Sequence, residues 1–426
     1  MQQTHSEAAT PTLTPTVTLR AAALAYGGSF VCDLVDGPPA LKGMKFFVRG
    51  VVPGEVFTAE IVAKHKSYIE ARLQNLEDES GDRVEPECPY FNVCGGCDLQ
   101  YMSIQAQRDA KREMVETTLS KHGGGIPING VILIGQDLPA FNYRRRVALH
   151  VSETGQVGFY RQQTREVVPI AKCLLALPPI NEALLQLNQI NEELGKSVSQ
   201  VQLDLHHDKV FAVFLLREDG NWKERLLSLT SKRFANMLLR YKRRTVYYQE
   251  DFKEVPNFVP AGHFSQVNQE ANQILIERVV SSFKAPEITE FYGGSGNFSF
   301  PLAQAGKKID VVEIDEALVK FGQDRASQLG LGANINFIKA SAEAYLKRSK
   351  LHDSVLLDPP RSGALDVARK MPENVQQIVY VSCNLPSLCR DLKVLREHGL
   401  SLLSTEVLDM FPQTHHVETI SRLERL

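Results

Sequence analysis

The sequence predicts an α/β fold: a doubly wound parallel sheet in the C-terminal part, a small β-barrel at the N-terminus and a β-rich region between them. Three observations carry this reading. From about residue 265 helical and strand-like runs alternate, the pattern of a parallel sheet with crossover helices. A Gly-rich turn, Tyr292-Gly293-Gly294-Ser295-Gly296-Asn297, follows the first of those strands. Short strands separated by turn residues fill positions 19–75, as in small barrels.

Taken in order, residues 1–13 are expected to be a disordered tail. Met1–Thr18 is rich in Thr and Pro and lacks a basic stretch followed by an apolar one, so it does not read as an export signal. Residues 14–76 are assigned to the barrel. Its strands include Ser29–Leu34, Lys45–Val51, Val56–Ala63 and Ser67–Asn75, punctuated by Gly27-Gly28, Asp36-Gly37-Pro38-Pro39 and Val52-Pro53-Gly54. Residues 77–127 begin with an acidic linker, pass through a cysteine cluster and end in a helix over Ser103–Lys121. Residues 128–255 hold strand-like runs at Val131–Ile134, Arg146–Val151, Gln200–Leu205 and Val210–Leu216, with a helix over Pro179–Gly195. Within 256–426 a helix over Asn268–Phe283 precedes strands at Ile288–Phe291, Lys308–Val312, Ile335–Ile338, Ser354–Leu357, Gln377–Val381 and Leu402–Val407.

A chain of 426 residues is long enough for several cores. Hydrophobic residues make up 43% and charged residues 23%, the balance of a soluble globular protein. No apolar run reaches the ~20 residues that cross a bilayer. A cytoplasmic monomer with no membrane contact is the expectation. A net charge of −2 does not mark a nucleic-acid binder; a polyanion partner needs a local basic surface. Phe141–Lys172 has six basic residues against two acids, and Ser231–Arg244 has six with no acid. The second stretch reads equally as a solvated face.

The Gly-rich turn lets a ligand approach the backbone closely. Alone it is a weak signal. The next strand ends in Val311-Val312-Glu313, where such folds hold a ribose hydroxyl pair, so a nucleoside-containing ligand is expected. Leu357-Asp358-Pro359-Pro360-Arg361 then builds a stiff wall beside it. Enzymes that methylate nucleobase amino groups carry an aromatic residue after those prolines. Arg361 argues against that chemistry and for a phosphate or backbone contact.

The chain has seven cysteines. Cys88, Cys94 and Cys97 cluster within a short stretch, and Cys173 is available as a fourth ligand. Without an export signal, clustering favours metal or cluster ligation over disulfides. Spacing leaves zinc and an iron–sulfur cluster equally open. Cys383 stands apart, in Ser382-Cys383-Asn384 at the end of strand Gln377–Val381. That end of a central strand faces the ligand crevice. A cysteine there reads as readily as a buried structural residue until a base is found for it. Glu418, in Phe411-Pro412-Gln413-Thr414-His415-His416-Val417-Glu418, is the candidate, although a Glu near a terminus is most often solvated.

Ser382-Cys383-Asn384, Arg390-Asp391-Leu392, Asp409-Met410-Phe411-Pro412-Gln413-Thr414 and His416-Val417-Glu418 resemble the uridine 5-methyltransferase family that acts on 23S rRNA and tRNA. The likeness covers almost the whole chain. It implies a Rossmann-like class I methyltransferase domain, an N-terminal TRAM-like (OB-like) RNA-binding barrel, and S-adenosylmethionine (SAM) as methyl donor. It implies Cys383 as nucleophile and Glu418 as base. By the same resemblance Gln266, Tyr292, Gly294, Asn297, Glu313, Ser341 and Asp358 hold SAM, and Phe264 and Asp358 lie near the target base. Arg144 and Arg146 are candidate RNA contacts.

The ribosomal-RNA branch of this family binds a 4Fe-4S cluster through such a cysteine pattern, which favours a cluster over zinc at Cys88, Cys94, Cys97 and Cys173. The closest competing class, radical-SAM enzymes with a TRAM domain, needs a Cys-x3-Cys-x2-Cys triplet, which this chain lacks. Two departures stand out. The family usually has Cys at Gly293, a change expected to be harmless, and Asn or Asp at Ser341, which weakens one adenosine contact. The expected substrate is rRNA, with the tRNA T-loop uridine as the alternative. A non-catalytic RNA-binding or assembly factor is the alternative of another class, and intact Cys383 and Glu418 speak against it.

Overall fold

The structure, a computed structural model, describes residues 16–123, 131–206, 209–218, 223–231, 233–234, 236–242, 244–249 and 263–425. The tail expected over 1–13 lies outside the described residues, as do Lys232 and Arg243 of the second basic stretch. Two compact units are distinguished: Met1–Glu85 with Tyr101–Ala106, and Pro86–Gln100 with Gln107–Leu426.

The first unit is a closed barrel of β1 (Thr16–Leu24), β2 (Phe30–Asp36), β3 (Lys45–Val48), β4 (Val56–Lys64) and β5 (Tyr68–Asp78), ordered β1-β2-β3-β5-β4. Closure leaves no free sheet edge. Alternating residues point inward, and Leu19, Phe30, Phe46, Phe57 and Ile69 are fully buried there. Glu55, also buried, accepts from Val52 N (2.7 Å) and is bridged by the Arg83 guanidinium at 2.6 Å and 2.7 Å. The first strand begins earlier than the turn signals suggest, because Thr16–Leu24 carries the alternation that Met1–Thr18 as a whole hides.

The second unit holds α1 (Ile104–His122) from Gln107 onward and two sheets. The strands in chain order are β6 (Val131–Ile134), β7 (Arg146–Val151), β8 (Val157–Tyr160), β9 (Val167–Pro169), β10 (Val198–His206), β11 (Lys209–Leu216), β12 (Asn236–Tyr241) and β13 (Arg244–Gln249). All but β6 form a seven-stranded sheet, β13-β12-β11-β10-β7-β8-β9. Between them lie α2 (Pro178–Asn188), α3 (Asn191–Ser197) and α4 (Lys223–Thr230). Leu184, Leu187 and Leu194 pack with Leu149, Leu203 and Phe214 of the sheet. The helix expected over Pro179–Gly195 is two helices. Asn188 Nδ2 donates to Ile170 O (3.0 Å) and Asn191 Oδ1 accepts from Glu192 N (2.8 Å), so local side-chain bonds compete with the helix there.

The second sheet is built from β14 (Glu287–Phe291), β15 (Lys308–Glu313), β16 (Ile335–Lys339), β17 (Ser354–Leu357), β18 (Gln377–Ser382), β19 (Leu400–Leu408) and β20 (Glu418–Arg425). Between them run α5 (Gln269–Ser282, before β14), α6 (Ser299–Gln304), α7 (Glu316–Gln328), α8 (Ala342–Arg348), α9 (Leu365–Arg369) and α10 (Leu385–Glu397). The order is β16-β15-β14-β17-β18-β20-β19-β6. One strand departs from a wholly parallel sheet, and one joins it from outside the C-terminal region. β20 is antiparallel to both neighbours and separates β18 from β19. β6, grouped with the central region by sequence position, pairs in parallel with β19 as the edge of this sheet. The strand order reverses between β14 and β17, where such folds open a ligand crevice at the carboxyl ends.

Candidate active site

β18 and β20 bring the candidate nucleophile and base together. Ser382 and Thr419 are register partners, and Thr419 Oγ1 donates to Ser382 O at 2.9 Å. Cys383 and Glu418 stand one residue beyond that rung, at the crevice end of the sheet. Cys383 is half-buried and Glu418 is buried. Asn384, the next residue, caps α10 by accepting from Ser387 N (3.0 Å). Burial pushes the Cys383 thiol up to about 11, with the charges of Glu418 and Asp358 adding to it and Arg361 opposing. Burial, then Asp358, holds the Glu418 carboxyl well above the ordinary range. A carboxyl in a dry pocket next to another acid behaves this way.

Asp358 follows β17, and burial raises its carboxyl to about 7. The Pro359–Ala364 segment after it is tied to α10 by Asp391. This fully buried carboxylate accepts from Ala364 N (2.6 Å) and Tyr380 Oη (2.8 Å) and pairs with Arg390 (2.8 Å). Arg390 also donates to Ser362 O (2.7 Å). The Arg390-Asp391-Leu392 motif is therefore the brace of the Asp-Pro-Pro-Arg wall. Gly363 has φ +79°, and a Cβ there would fall 2.5 Å from Asp391 Oδ2.

The turn after β14 is pinned from below. Glu313 Oε2 accepts from Gly294 N (2.9 Å), while Oε1 accepts from Ile314 N (2.7 Å) and Asp315 N (2.8 Å). This orients the carboxylate at the strand end, and Ile314 beside it is an exposed apolar side chain. Ile314 escaped the sequence reading; an apolar residue just past a strand-end acid is its only signal. Tyr292 is in the left-handed region (φ 64°). Asn297 exchanges side-chain bonds with Asn272 of α5 at 2.9 Å and 3.0 Å. Gly293 is not a neutral replacement: a Cβ there would lie 2.2 Å from Val311 Cγ1, so the glycine is matched to Val311. Ser341 caps α8, accepting from Ala344 N at 3.1 Å. Gln266 is half-buried and Phe264 is 71% exposed, both just ahead of α5. Below the turn, buried Glu290 bonds the Ser299 hydroxyl. Burial raises it to about 8 despite that bond, and the charges of Asp358 and Glu313 add to the rise.

The Asp409–Val417 segment joins β19 to β20 and leads into Glu418. Asp409 is fully buried with Lys111 Nζ at 2.6 Å and Arg108 Nε at 3.3 Å. Tyr143 Oη donates to Pro412 O (3.0 Å) and Asn268 Nδ2 to Met410 O (3.2 Å). His415 pairs with Asp98, and its ring lies 4.2 Å from that of His416. Burial, then the charges of His415 and Arg361, lowers His416 to about 4, so it is neutral at physiological pH.

The four clustered cysteines are all half-buried and none is in a disulfide. Gly95 N donates to Tyr160 O (2.9 Å), docking the Cys94–Cys97 turn on β8, and Cys173 N donates to Asn181 Oδ1 (2.9 Å). Burial raises Cys94, Cys97 and Cys173, with Cys94 and Cys97 each feeling the charge of Cys173, and Cys94 and Cys173 that of Cys88. Among the described residues no three His, Cys, Asp or Glu side chains are gathered as for a single metal ion. Arg144 is drawn into this group: its charge opposes the rise at Cys94, Cys97 and Cys173, and its Nε lies 3.5 Å from Tyr143 Oη. Arg146 pairs with buried Asp204 (3.5 Å). Neither arginine stands beside Cys383 in sequence or sheet.

The family model described as tRNA (uracil-5-)-methyltransferase matches residues 142–426. A Shewanella woodyi protein described as 23S rRNA (uracil(1939)-C(5))-methyltransferase RlmD is 32% identical, covering 90% of this chain and 91% of that protein. An Acidithiobacillus ferrooxidans protein of the same description is 30% identical, covering 91% and 94%. Among solved structures, Pyrococcus abyssi tRNA (uracil-54, C5)-methyltransferase with bound S-adenosyl-L-homocysteine matches with a TM-score of 0.74 at 22% identity, covering 95% of this chain and 99% of that one. At that identity the match establishes the fold.

Proposed function

The chain belongs to the tRNA (uracil-5-)-methyltransferase family, and on that premise we propose that it methylates C5 of a uridine in 23S rRNA, with Cys383 as nucleophile and Glu418 as base. The observation that carries the reading is the Ser382–Thr419 rung, beside which a thiol and a buried carboxyl meet. SAM supplies an electrophilic methyl group. Uracil C5 is a poor nucleophile until Cys383 Sγ adds to C6 and pushes the C5=C6 electron pair into an enolate. C5 then takes the methyl group. Glu418 removes the C5 proton, the C–H pair re-forms the double bond, and Sγ leaves as a thiolate. Gln266, Tyr292, Gly294, Asn297, Glu313, Ser341 and Asp358 are assigned to SAM. Exposed Phe264, with Asp358, is assigned to the target base, which must leave its stack to reach Cys383.

The curated relatives named above support rRNA as substrate. The family model's own description favours the second reading, the same chemistry on a tRNA T-loop uridine. Mapping 5-methyluridine in rRNA and tRNA from a deletion strain decides between them. RNA containing 5-fluorouridine tests the mechanism. The fluorine cannot be removed as a proton is, so a covalent adduct forms with SAM and is lost in Cys383→Ala; absence of any adduct refutes the covalent scheme.

Cys88, Cys94, Cys97 and Cys173 are assigned to a 4Fe-4S cluster in preference to zinc. The support is the spacing of Cys88, Cys94 and Cys97, the effect of Cys173 on Cys94 and Cys97 and of Cys88 on Cys94 and Cys173, and a guanidinium, Arg144, whose charge favours the thiolates of Cys94, Cys97 and Cys173. That assignment takes Arg144 away from RNA, and Arg146 keeps only its outer edge for it. Bound, the cluster would tie the cysteine turn to the Cys173 loop; methyl transfer draws no electron from it. Iron and acid-labile sulfide in the purified protein test this, and stoichiometric zinc refutes it. The barrel is assigned to RNA binding as a TRAM-like module, alongside the central sheet, in a protein acting as a cytoplasmic monomer.

A further inference from the structure

The segment that leads into β20 contains a residue in a costly conformation. Gln413 has φ +69°, which a non-glycine residue keeps only where its surroundings over-determine it. Four hydrogen bonds do so. Gln107 Nε2 donates to Gln413 Oε1 at 2.9 Å, and Gln413 N donates to Gln107 Oε1 at 2.9 Å. Asp98 N and Leu99 N both donate to Gln413 O at 3.1 Å. Gln107 is fully buried. A buried primary amide that uses both its ends on one residue specifies where that residue sits.

Downstream of this turn lies Glu418. Its backbone is fixed on the strand side by pairing with Leu408 and by the Ser382–Thr419 rung that follows. On the other side the chain reaches it from the Asp409–Val417 turn. We infer that the Gln107–Gln413 amide pair is a positioning device for the active-site base, locking the turn so that the Glu418 carboxyl stays aimed at the target carbon. This rests on Glu418 being the base. Gln107 and Gln413 act through Glu418 and hold neither RNA nor methyl donor. The step at stake is the last: Glu418 takes the C5 proton, the C–H electron pair re-forms the C5=C6 bond, and Sγ departs from C6.

The full-length protein is compared with Gln107→Leu and Glu418→Gln, using SAM and in vitro transcribed 23S rRNA with ordinary uridine. Glu418→Gln completes addition and methylation but not proton removal, so a denaturant-resistant protein–RNA adduct accumulates. Gln107→Leu is expected to accumulate the same adduct at lower yield. Its kcat is expected to fall about tenfold, with KM for SAM unchanged within about twofold. A merely structural pair would lose turnover in step with the folded fraction and build up no adduct; that result, or unchanged turnover, overturns the inference. If Glu418→Gln itself accumulates no adduct, the base assignment falls and the positioning role falls with it. Should Gln107→Leu not fold, Gln413→Asn carries the same readings, because Asn tolerates the left-handed backbone while its shorter side chain does not reach Gln107.

Discussion

Thr419 Oγ1 donates to Ser382 O at 2.9 Å, and the residues just beyond these two, Glu418 and Cys383, face the same crevice from antiparallel strands. The thiol is consequently formed in a pocket that resists its ionisation. Arg361 is the group whose charge favours the thiolate. Arg361→Ala should therefore raise the Cys383 pKa. Because Arg361 is exposed, screening limits the effect to about two- to fivefold in alkylation rate near pH 8. The rate of iodoacetamide labelling at Cys383, followed against pH, measures it; a faster rate in the variant contradicts the assignment.

With SAM at the Gly293–Asn297 turn as proposed, the acids around it should make binding pH-dependent. Glu290 is raised to about 8 and Asp358 to about 7. A cationic sulfonium favours ionised carboxyls, so each one protonated in the free chain must lose its proton on binding. Affinity for SAM should rise with pH between about 6 and 8.5, by at most tenfold per unit for each proton released, and level off above. The neutral product, S-adenosylhomocysteine, should lack most of this slope. Folding runs the other way. A carboxyl raised on folding stabilises fully below its unfolded pKa, and that contribution is lost as pH rises through the folded one. The ligand-free protein should thus lose stability as pH climbs through 7 to 8, which thermal unfolding across that range reports. Calorimetry in buffers of different ionisation heat counts the protons.

Asp409, Lys111 and Arg108 form a buried charge cluster whose members are at most 5% exposed. Removing the shared carboxylate strands two cations in a medium that cannot solvate them, at a cost of about 3–5 kcal/mol. Asp409→Asn should destabilise by that order, since both cations would then share one neutral amide. Lys111→Met leaves Asp409 paired with Arg108 and should cost less, about 1–3 kcal/mol. Equilibrium denaturation checks both, and a change below about 1 kcal/mol would mean that water reaches the site.

The strands of the barrel and of the second sheet were legible because apolar alternation and turn residues mark them locally. β20 was not, and β6, read as a strand over Val131–Ile134, was legible as a strand but not in its placement. β20 reads Glu-Thr-Ile-Ser-Arg-Leu-Glu-Arg, a polar-rich string whose burial comes from being inserted between β18 and β19. β6 is four residues long and says nothing about which sheet it joins; its pairing with β19 is a tertiary fact. Cys383 was legible because a strand end predicts a crevice. The burial of Glu418 was not legible locally, since nothing in the sequence tells a buried strand-start Glu from a solvated one. The charge of Arg144 acts on Cys94, Cys97 and Cys173, a relationship that a basic run in the sequence does not announce.

Gly363 supplies a test of the brace between the Asp-Pro-Pro-Arg wall and α10. Its φ of +79° costs a β-carbon-bearing residue about 1–3 kcal/mol. A Cβ would also lie 2.5 Å from Asp391 Oδ2 and 2.6 Å from Arg390. Arg390 can swing away, but Asp391 cannot, being fully buried and bonded to Ala364 N and Tyr380 Oη. In Gly363→Ala the segment must therefore move, and Asp358 and Arg361 at its start move with it. Turnover should fall by at least tenfold, since tenths of an ångström matter at reacting groups, while overall stability falls by no more than the strain. Gly363→Asn should be milder, because Asn accepts the left-handed backbone but keeps the Cβ clash. The order Gly, Asn, Ala in turnover, read alongside melting temperature, separates strain from contact. Equal loss in both variants would assign the whole effect to the Asp391 contact.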